Sequence, residues 1–79
     1  MLKNVLAENA ILRIVNQSRE LYIPFADLYE KANWFVDRTE LYRELDRLVK
    51  NGYIRIKGID SELYIRIIRA GIAFLVECT

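Results

Sequence analysis

Histidine is absent from this sequence of 79 residues, and cysteine occurs once, at position 78. The chain therefore cannot build a Cys/His metal site, a Ser-His-Asp triad or a Cys-His nucleophile pair. Asp27 and Glu30 are spaced to share one face of a helix, but no base or metal ligand accompanies them. We therefore predict a protein that is not an enzyme and that uses neither a metal nor a cofactor.

Long apolar runs are also missing. The longest, residues 72–76, has five residues, far short of the ~20 that a membrane-spanning helix needs. Lys3, Glu8 and Arg13 interrupt the first apolar stretch, which is unlike the apolar region of a signal peptide. A lone cysteine suits a reducing compartment, where Cys78 is either an unpaired thiol or a bridge between two copies. We expect a cytoplasmic protein without a membrane segment.

Glycine and proline are scarce, with three and one residues, whereas 53% of the residues are hydrophobic. This composition excludes a disordered or collagen-like chain and predicts one folded domain over residues 1–79. A domain of this size buries only ~60% of the surface that its unfolded chain exposes. Some apolar side chains are therefore expected at a subunit interface, most simply that of a homodimer.

Apolar spacings of three and four predict a first helix over residues 2–16. The apolar triplet 21–23 is too short for a helix and precedes Pro24, which favours an extended conformation before it, so we predict a short strand. Pro24 suits the first turn of a second helix, which the spacing extends to about Asn33. The apolar stripe of the first helix consists of Leu2, Val5, Leu6, Ile11, Leu12 and Val15.

A third helix is predicted from Arg38 to about Asn51. Asp37 and Glu40 have the spacing of a capping box at its start, and Gly52 is placed to end it in a left-handed conformation. The residues expected to point inward are Leu41, Leu45, Leu48 and Val49. Trp34 and Phe35, just before this helix, are predicted to pack in the core, as are Tyr22 and Tyr29.

From Tyr53 the apolar period changes to two, which predicts two strands joined by a turn over residues 57–62. The outer strand face interleaves tyrosines with cations: it is either a partly exposed hairpin face or a small stacking platform for single-stranded bases. Residues 69–79 fit a helix or a strand, and we favour a helix anchored by Phe74 and Leu75, although Gly71 and the β-branched residues favour a strand.

Two segments resemble the winged helix-turn-helix superfamily, specifically small MarR-like and PadR-like regulators. Residues 39–54, TELYRELDRLVKNGYI, are similar to a recognition helix and the turn after it, and residues 63–75, LYIRIIRAGIAFL, are similar to a wing and its following segment. Ile68 departs from the Thr or Ser cap usual in such families, and the wing tip with Asp60 and Glu62 is acidic rather than basic.

The resemblance implies an α+β winged helix-turn-helix fold, with a three-helix core, a short β-strand, a two-stranded β-hairpin wing and a C-terminal helix. It also implies sequence-specific binding of double-stranded DNA by a small homodimeric transcriptional regulator, with the third helix in the major groove. The residues expected to contact DNA are Arg38, Thr39, Tyr42, Arg43, Arg47, Lys50, Arg55 and Lys57.

The charge distribution agrees with this expectation. Residues 31–57 hold seven cations and four anions, a net charge of +3, whereas the segments on either side each carry −1. The alternative is a winged-helix adaptor that binds another protein. In that case, helical pairs such as Arg43 with Glu40 and Arg47 with Glu44 would be solvated salt bridges.

The expected dimer interface combines the first helix with the apolar C-terminal segment. No effector domain fits within this length, so no small-molecule ligand is expected. The interface residues predicted are Ile11, Ile14, Ile72, Phe74 and Leu75.

Overall fold

A computed structural model describes residues 2–77, with side chains from residue 6 onward. The first helix, α1 (Leu2–Gln17), packs against each of the three later helices and against the sheet. Ile11, Leu12 and Val15 form its buried stripe, as the spacing predicts. Leu6, assigned to the same stripe, is instead 68% exposed. Leu2 and Val5 lie outside the residues whose side chains are described, as does Cys78.

The second segment differs in detail from its prediction. Strand β1 comprises Ile23–Pro24, and helix α2 (Phe25–Ala32) begins after the proline. Pro24 is the N-cap of α2 with extended backbone, φ −62° and ψ 145°, rather than a residue of its first turn. Because β1 lies at the edge of the sheet, a residue without an N–H group is tolerated there.

Helix α3 (Arg38–Lys50) begins at the predicted capping box. The Glu40 N–H group donates to the Asp37 carboxylate at 2.7 Å, and the Asp37 N–H group donates to the Glu40 carboxylate at 3.3 Å. After the helix, Gly52 adopts the predicted left-handed conformation, with φ +78°. Both ends of α3 are therefore fixed by local sequence.

Strands β2 (Ile54–Ile59) and β3 (Glu62–Ile67) form an antiparallel hairpin, and β1 adds to β3 to complete a sheet of order β1-β3-β2. The connection is shorter than predicted, since only Asp60 and Ser61 lie between the strands. Both have positive φ, 50° and 68°. This pattern is typical of the two-residue turns whose twist matches that of the hairpin.

The C-terminal segment is helical, as favoured from the sequence: α4 spans Arg69–Glu77. Leu75 is buried, and the Phe74 ring stacks on Tyr53 with centroids 4.7 Å apart, so both predicted anchors are confirmed. Gly71 allows the approach of α4 to the sheet, because a Cβ atom there would collide with the Tyr53 carbonyl oxygen.

One hydrophobic cluster joins the elements into an α+β fold of four helices and a three-stranded antiparallel sheet, within residues 2–77. Over that range, no helix is long and apolar enough to cross a membrane. The largest fully buried side chains are Ile11, Leu12, Leu28, Leu41, Leu45, Leu48, Ile54 and Ile65.

Candidate nucleic-acid interface

The exposed face of α3 contains six of the eight residues expected to meet DNA, and the other two lie on β2. Leu41, Leu45 and Leu48 hold the opposite face in the core, as predicted. Val49, predicted to point inward, is 42% exposed, and Glu44 occupies the buried position instead, at 7% exposed. The outward side chains are Arg38, Thr39, Tyr42, Arg43, Asp46, Arg47 and Lys50.

Aromatic rings organise the N-terminal end of this face. Tyr42 stacks on Phe25 of α2, with ring centroids 4.5 Å apart. The Arg38 guanidinium lies 5.1 Å from the Tyr29 ring centroid and 5.6 Å from that of Phe25, within cation–π range. These contacts hold Arg38 and Tyr42 beside α2 and limit how far either can swing outward.

The cations of α3 differ in their pairing. Arg47 lies 3.6 Å from the Glu44 carboxylate, and Lys50 lies 3.1 Å from that of Asp46. No ion pair is found for Arg43 among residues 6–77, although Glu40 has the helical spacing for one. Exposed pairs such as Lys50 with Asp46 contribute only ~0–1 kcal/mol, so an incoming phosphate can replace them.

Glu44 is the electrostatic exception on α3. Burial raises the pKa of its carboxyl group, and the carboxylates of Glu8 and Glu40 act in the same direction, whereas the positive charge of Arg47 lowers it. Its Oε2 atom is buried and has no hydrogen-bond partner. Arg47 therefore also compensates a buried charge, in addition to any role at the surface.

A second group of cations lies on the outer face of the sheet. Arg55 and Lys57 of β2 are exposed, and Arg55 stands directly opposite Arg66 of β3. Lys57 and Arg66 both approach the Tyr22 ring, at 5.8 and 6.0 Å from its centroid. The predicted face of tyrosines and cations thus also includes Tyr22, from the segment preceding β1.

Like charges directly opposite each other weaken an antiparallel ladder. Across the part of the chain with described side chains, no carboxylate forms an ion pair with Arg55, Lys57 or Arg66. Arg66 was absent from the DNA-contact residues expected from the sequence. The period of two along the strand already predicts that Arg66 shares the outer face with Arg55 and Lys57, and the register adds that it stands directly across from Arg55.

The acidic hairpin tip has an internal role. The Ala26 N–H group donates to the Glu62 carboxylate at 3.4 Å, at the start of α2, where Pro24 offers no capping side chain. A carboxylate is also favourable near the positive end of a helix dipole. The contact brings the hairpin tip to the same end of α2 that Tyr42 and Arg38 of α3 pack against.

The aromatic pair before α3 is placed differently from its prediction. Trp34 is 79% exposed, so the core role predicted for it is wrong; its ring meets Phe35 edge-on, with centroids 4.8 Å apart. Phe35 is partly buried against the core, as are Tyr29 and, at the sheet, Tyr53. The turn between α2 and α3 is too short to fold both adjacent aromatic side chains inward.

The residues expected at a dimer interface divide into three groups. Ile11 and Leu75 are buried in the protomer's own core, so neither can form an interface in this fold. Ile14 and Phe74 pack partly against that core. Ile72 is 43% exposed and is the member of the set most available to a partner.

No group of three or more carboxylate or cysteine side chains suited to a metal occurs within the described residues. Comparisons of the chain with models of known families, with curated proteins and with solved structures gave no match.

Proposed function

We propose that the chain is a winged-helix protein that binds double-stranded DNA, acting as a small homodimeric transcriptional regulator. In this proposal α3 enters the major groove and the β2–β3 hairpin is the wing. Arg43 at the middle of α3 is the base reader, since a bidentate contact with guanine contributes ~1–3 kcal/mol of discrimination. Arg47 and Lys50 contact phosphates.

The observation that carries the proposal is the set of cations without carboxylate partners on α3 and the outer sheet face. Arg43 has no ion pair within residues 6–77, and Arg55 faces Arg66 across the ladder. A fold that keeps two arginines opposite each other gains stability when an anion binds between them. The phosphates of a nucleic acid backbone supply such anions along a line.

The DNA contacts made by the two elements are expected to differ. Thr39 and Tyr42 lie near the N-terminal end of α3, which faces the bases in helix-turn-helix complexes. Arg38 is held over two aromatic rings and therefore acts at the edge of the interface. Arg55 and Lys57 on β2 contact the backbone, whereas the acidic tip stays away from it.

Fluorescence anisotropy with a labelled mixed-sequence duplex, titrated at several salt concentrations, tests the proposal. A log–log slope between about −3 and −6 is expected, since each neutralised phosphate contributes about −0.9. The variant Arg55→Ala/Lys57→Ala removes two proposed backbone contacts and should reduce the magnitude of the slope by about 2. Neither side chain forms an ion pair among the described residues, so this variant avoids the disturbance that removing Arg47 would cause at Glu44.

The matched control is Arg19→Ala/Arg69→Ala, which removes the same charge outside α3 and the outer sheet face and should leave the slope unchanged. An equal loss in both variants would mean that binding follows net charge alone, and the proposed interface would be wrong. The ion pairs of Arg47 and Lys50 favour the adaptor as the second candidate. Absence of DNA binding even at low salt would support it.

A further inference from the structure

A groove of about 480 Å³ lies between α1 and the turn that joins α2 to α3. Its walls are mostly apolar, with Ala7 and Ala10 on one side and Phe35 and Val36 on the other, and Trp34 and Leu6 are exposed around it. Pockets of ~300–1,000 Å³ with apolar walls and a few polar groups are typical small-molecule sites. The size and lining of the groove therefore fit a small organic ligand.

The polar groups in the groove are not equally satisfied. The Arg13 Nε–H group donates to Asn9 Oδ1 at 2.7 Å, and Glu40 accepts a hydrogen bond from the Asp37 backbone. Glu44 also lines the groove, but its buried Oε2 atom accepts no hydrogen bond. A buried carboxylate oxygen without a donor is costly, so the groove needs a donor at this point.

We propose that this groove binds a small amphiphilic cation, with an ammonium group donating to Glu44 and an alkyl body lying along Ala7, Ala10 and Phe35. The two carboxylates among the lining residues, Glu40 and Glu44, outnumber the one cation, Arg13, so the groove favours a cationic ligand over an anionic one. A neutral apolar ligand would leave Oε2 of Glu44 without a donor. The exposed Trp34 ring borders the groove, where it can lie over the alkyl body of the bound ligand or over its ammonium group as the ligand enters.

This site uses none of the outward cations of α3, so it goes beyond the proposed DNA binding and does not depend on it. It also departs from the expectation that so short a chain has no small-molecule ligand, because the groove forms between elements of one fold rather than in a separate domain.

The test is titration with n-octylammonium, n-octanol and octanoate, which share an alkyl chain and differ in charge. Trp34 is the one tryptophan of the sequence and borders the groove, so its emission reports binding directly. Calorimetry gives the same Kd without relying on Trp34. Octylammonium should bind roughly tenfold to a hundredfold more tightly than octanol, because both can donate a hydrogen bond to Glu44 but only the ammonium adds a positive charge. Octanoate should bind most weakly.

The deciding variant is Glu44→Gln, which should lose the preference for ammonium and bind the amine and the alcohol alike. Glu30→Gln, the same substitution at an exposed position of α2, should keep the preference of the original chain. Circular dichroism confirms that both variants are folded.

Three results would overturn the proposal. One is equal affinity of the original chain for octylammonium and octanol, or no binding of either. Another is an ammonium preference that survives Glu44→Gln. The third is Trp34 emission that shifts with protein concentration in the absence of ligand, together with dissociation of an oligomer by Trp34→Ala, because a second copy would then fill the groove.

Discussion

Glu44 is a carboxylate buried on the inward side of α3, and its burial makes the ionised form unfavourable. The helical period places it on the inward side between Leu41 and Leu48, so the fold buries it. Arg47 compensates the charge at 3.6 Å but is itself half exposed, so solvent weakens the attraction. The residue therefore costs stability when ionised.

Glu44→Gln is expected to raise the stability of the ligand-free protein at pH 7. Because burial raises the folded-state pKa above the ordinary 4.5, the folded protein binds this proton more tightly than the unfolded chain does. The original chain therefore loses stability as the pH rises from 4.5 through the raised value, and Gln has no such loss. Urea unfolding at pH 7 should show a gain of up to about 1 kcal/mol.

The gain should shrink as the solution is acidified below the ordinary glutamate pKa, where both side chains are neutral. A gain of the same size at pH 3 and pH 7 would show that ionisation of Glu44 is not its cause.

At the scale of elements, α4 is positioned by a close approach rather than by capping. Ile68 precedes it at the position where the sequence departs from the usual Ser or Thr cap, and the Ile68 N–H group donates to the Tyr53 carbonyl oxygen at 3.0 Å. Gly71 lies over the same carbonyl group. The Phe74 ring then stacks on Tyr53. Tyr53, the residue directly before β2, therefore contacts the residue that precedes α4, the glycine in its first turn and an aromatic ring further along the helix.

Gly71→Ala is expected to destabilise the protein by about 1–3 kcal/mol, the usual cost of overpacking. The added methyl group would meet the Tyr53 carbonyl group and the Ile67 side chain, and backbone atoms cannot yield as a flexible side chain can. Denaturant unfolding measures the change.

Gly58→Ala is the matched control, because its Cβ atom would lie 3.9 Å from Leu63 in ordinary contact. It should be neutral or slightly stabilising, since alanine restricts the unfolded chain. Equal destabilisation by the two substitutions would argue against close approach as the reason for glycine at position 71.

At the scale of the whole molecule, the cations of the proposed DNA surface and the groove carboxylates lie on different surfaces. These cations lie on α3 and the outer sheet face, whereas Glu40 and Glu44 line the groove beside α1 together with Arg13. Exposed apolar side chains occur on α4 and at the groove, and also on α3, where Tyr42 and Val49 are exposed. The proposed dimer is built through α4, which contributes no residue to the groove lining.

Ile72→Gln is expected to weaken the proposed homodimer at least tenfold in Kd, because it removes an apolar side chain from the face of α4 that would contact the partner. Sedimentation equilibrium measures the association. Ile59→Gln changes the same residue type at nearly the same exposure, 44% against 43%, but lies on the hairpin and should leave the dimer intact. Loss of the dimer in both variants would place the interface elsewhere.

Local sequence alone determined most of the element order. The capping box at Asp37, the left-handed Gly52 and the change of period at Tyr53 are short-range signals, and each acts within a few residues. They predicted α3, its end and the hairpin. The helical face of α3 that contains Arg43 followed from the same spacing.

The tertiary structure decided which side chains are available for binding. Ile11 and Leu75 have the same apolar character as Ile72, and only packing buries them and leaves Ile72 exposed. The exposure of Trp34, the burial of Glu44 and the opposition of Arg55 and Arg66 depend on contacts or register between distant segments. A pattern within one segment contains no information about the neighbour that will cover it, so the groove and the opposition of the two arginines could be found only in the folded protein.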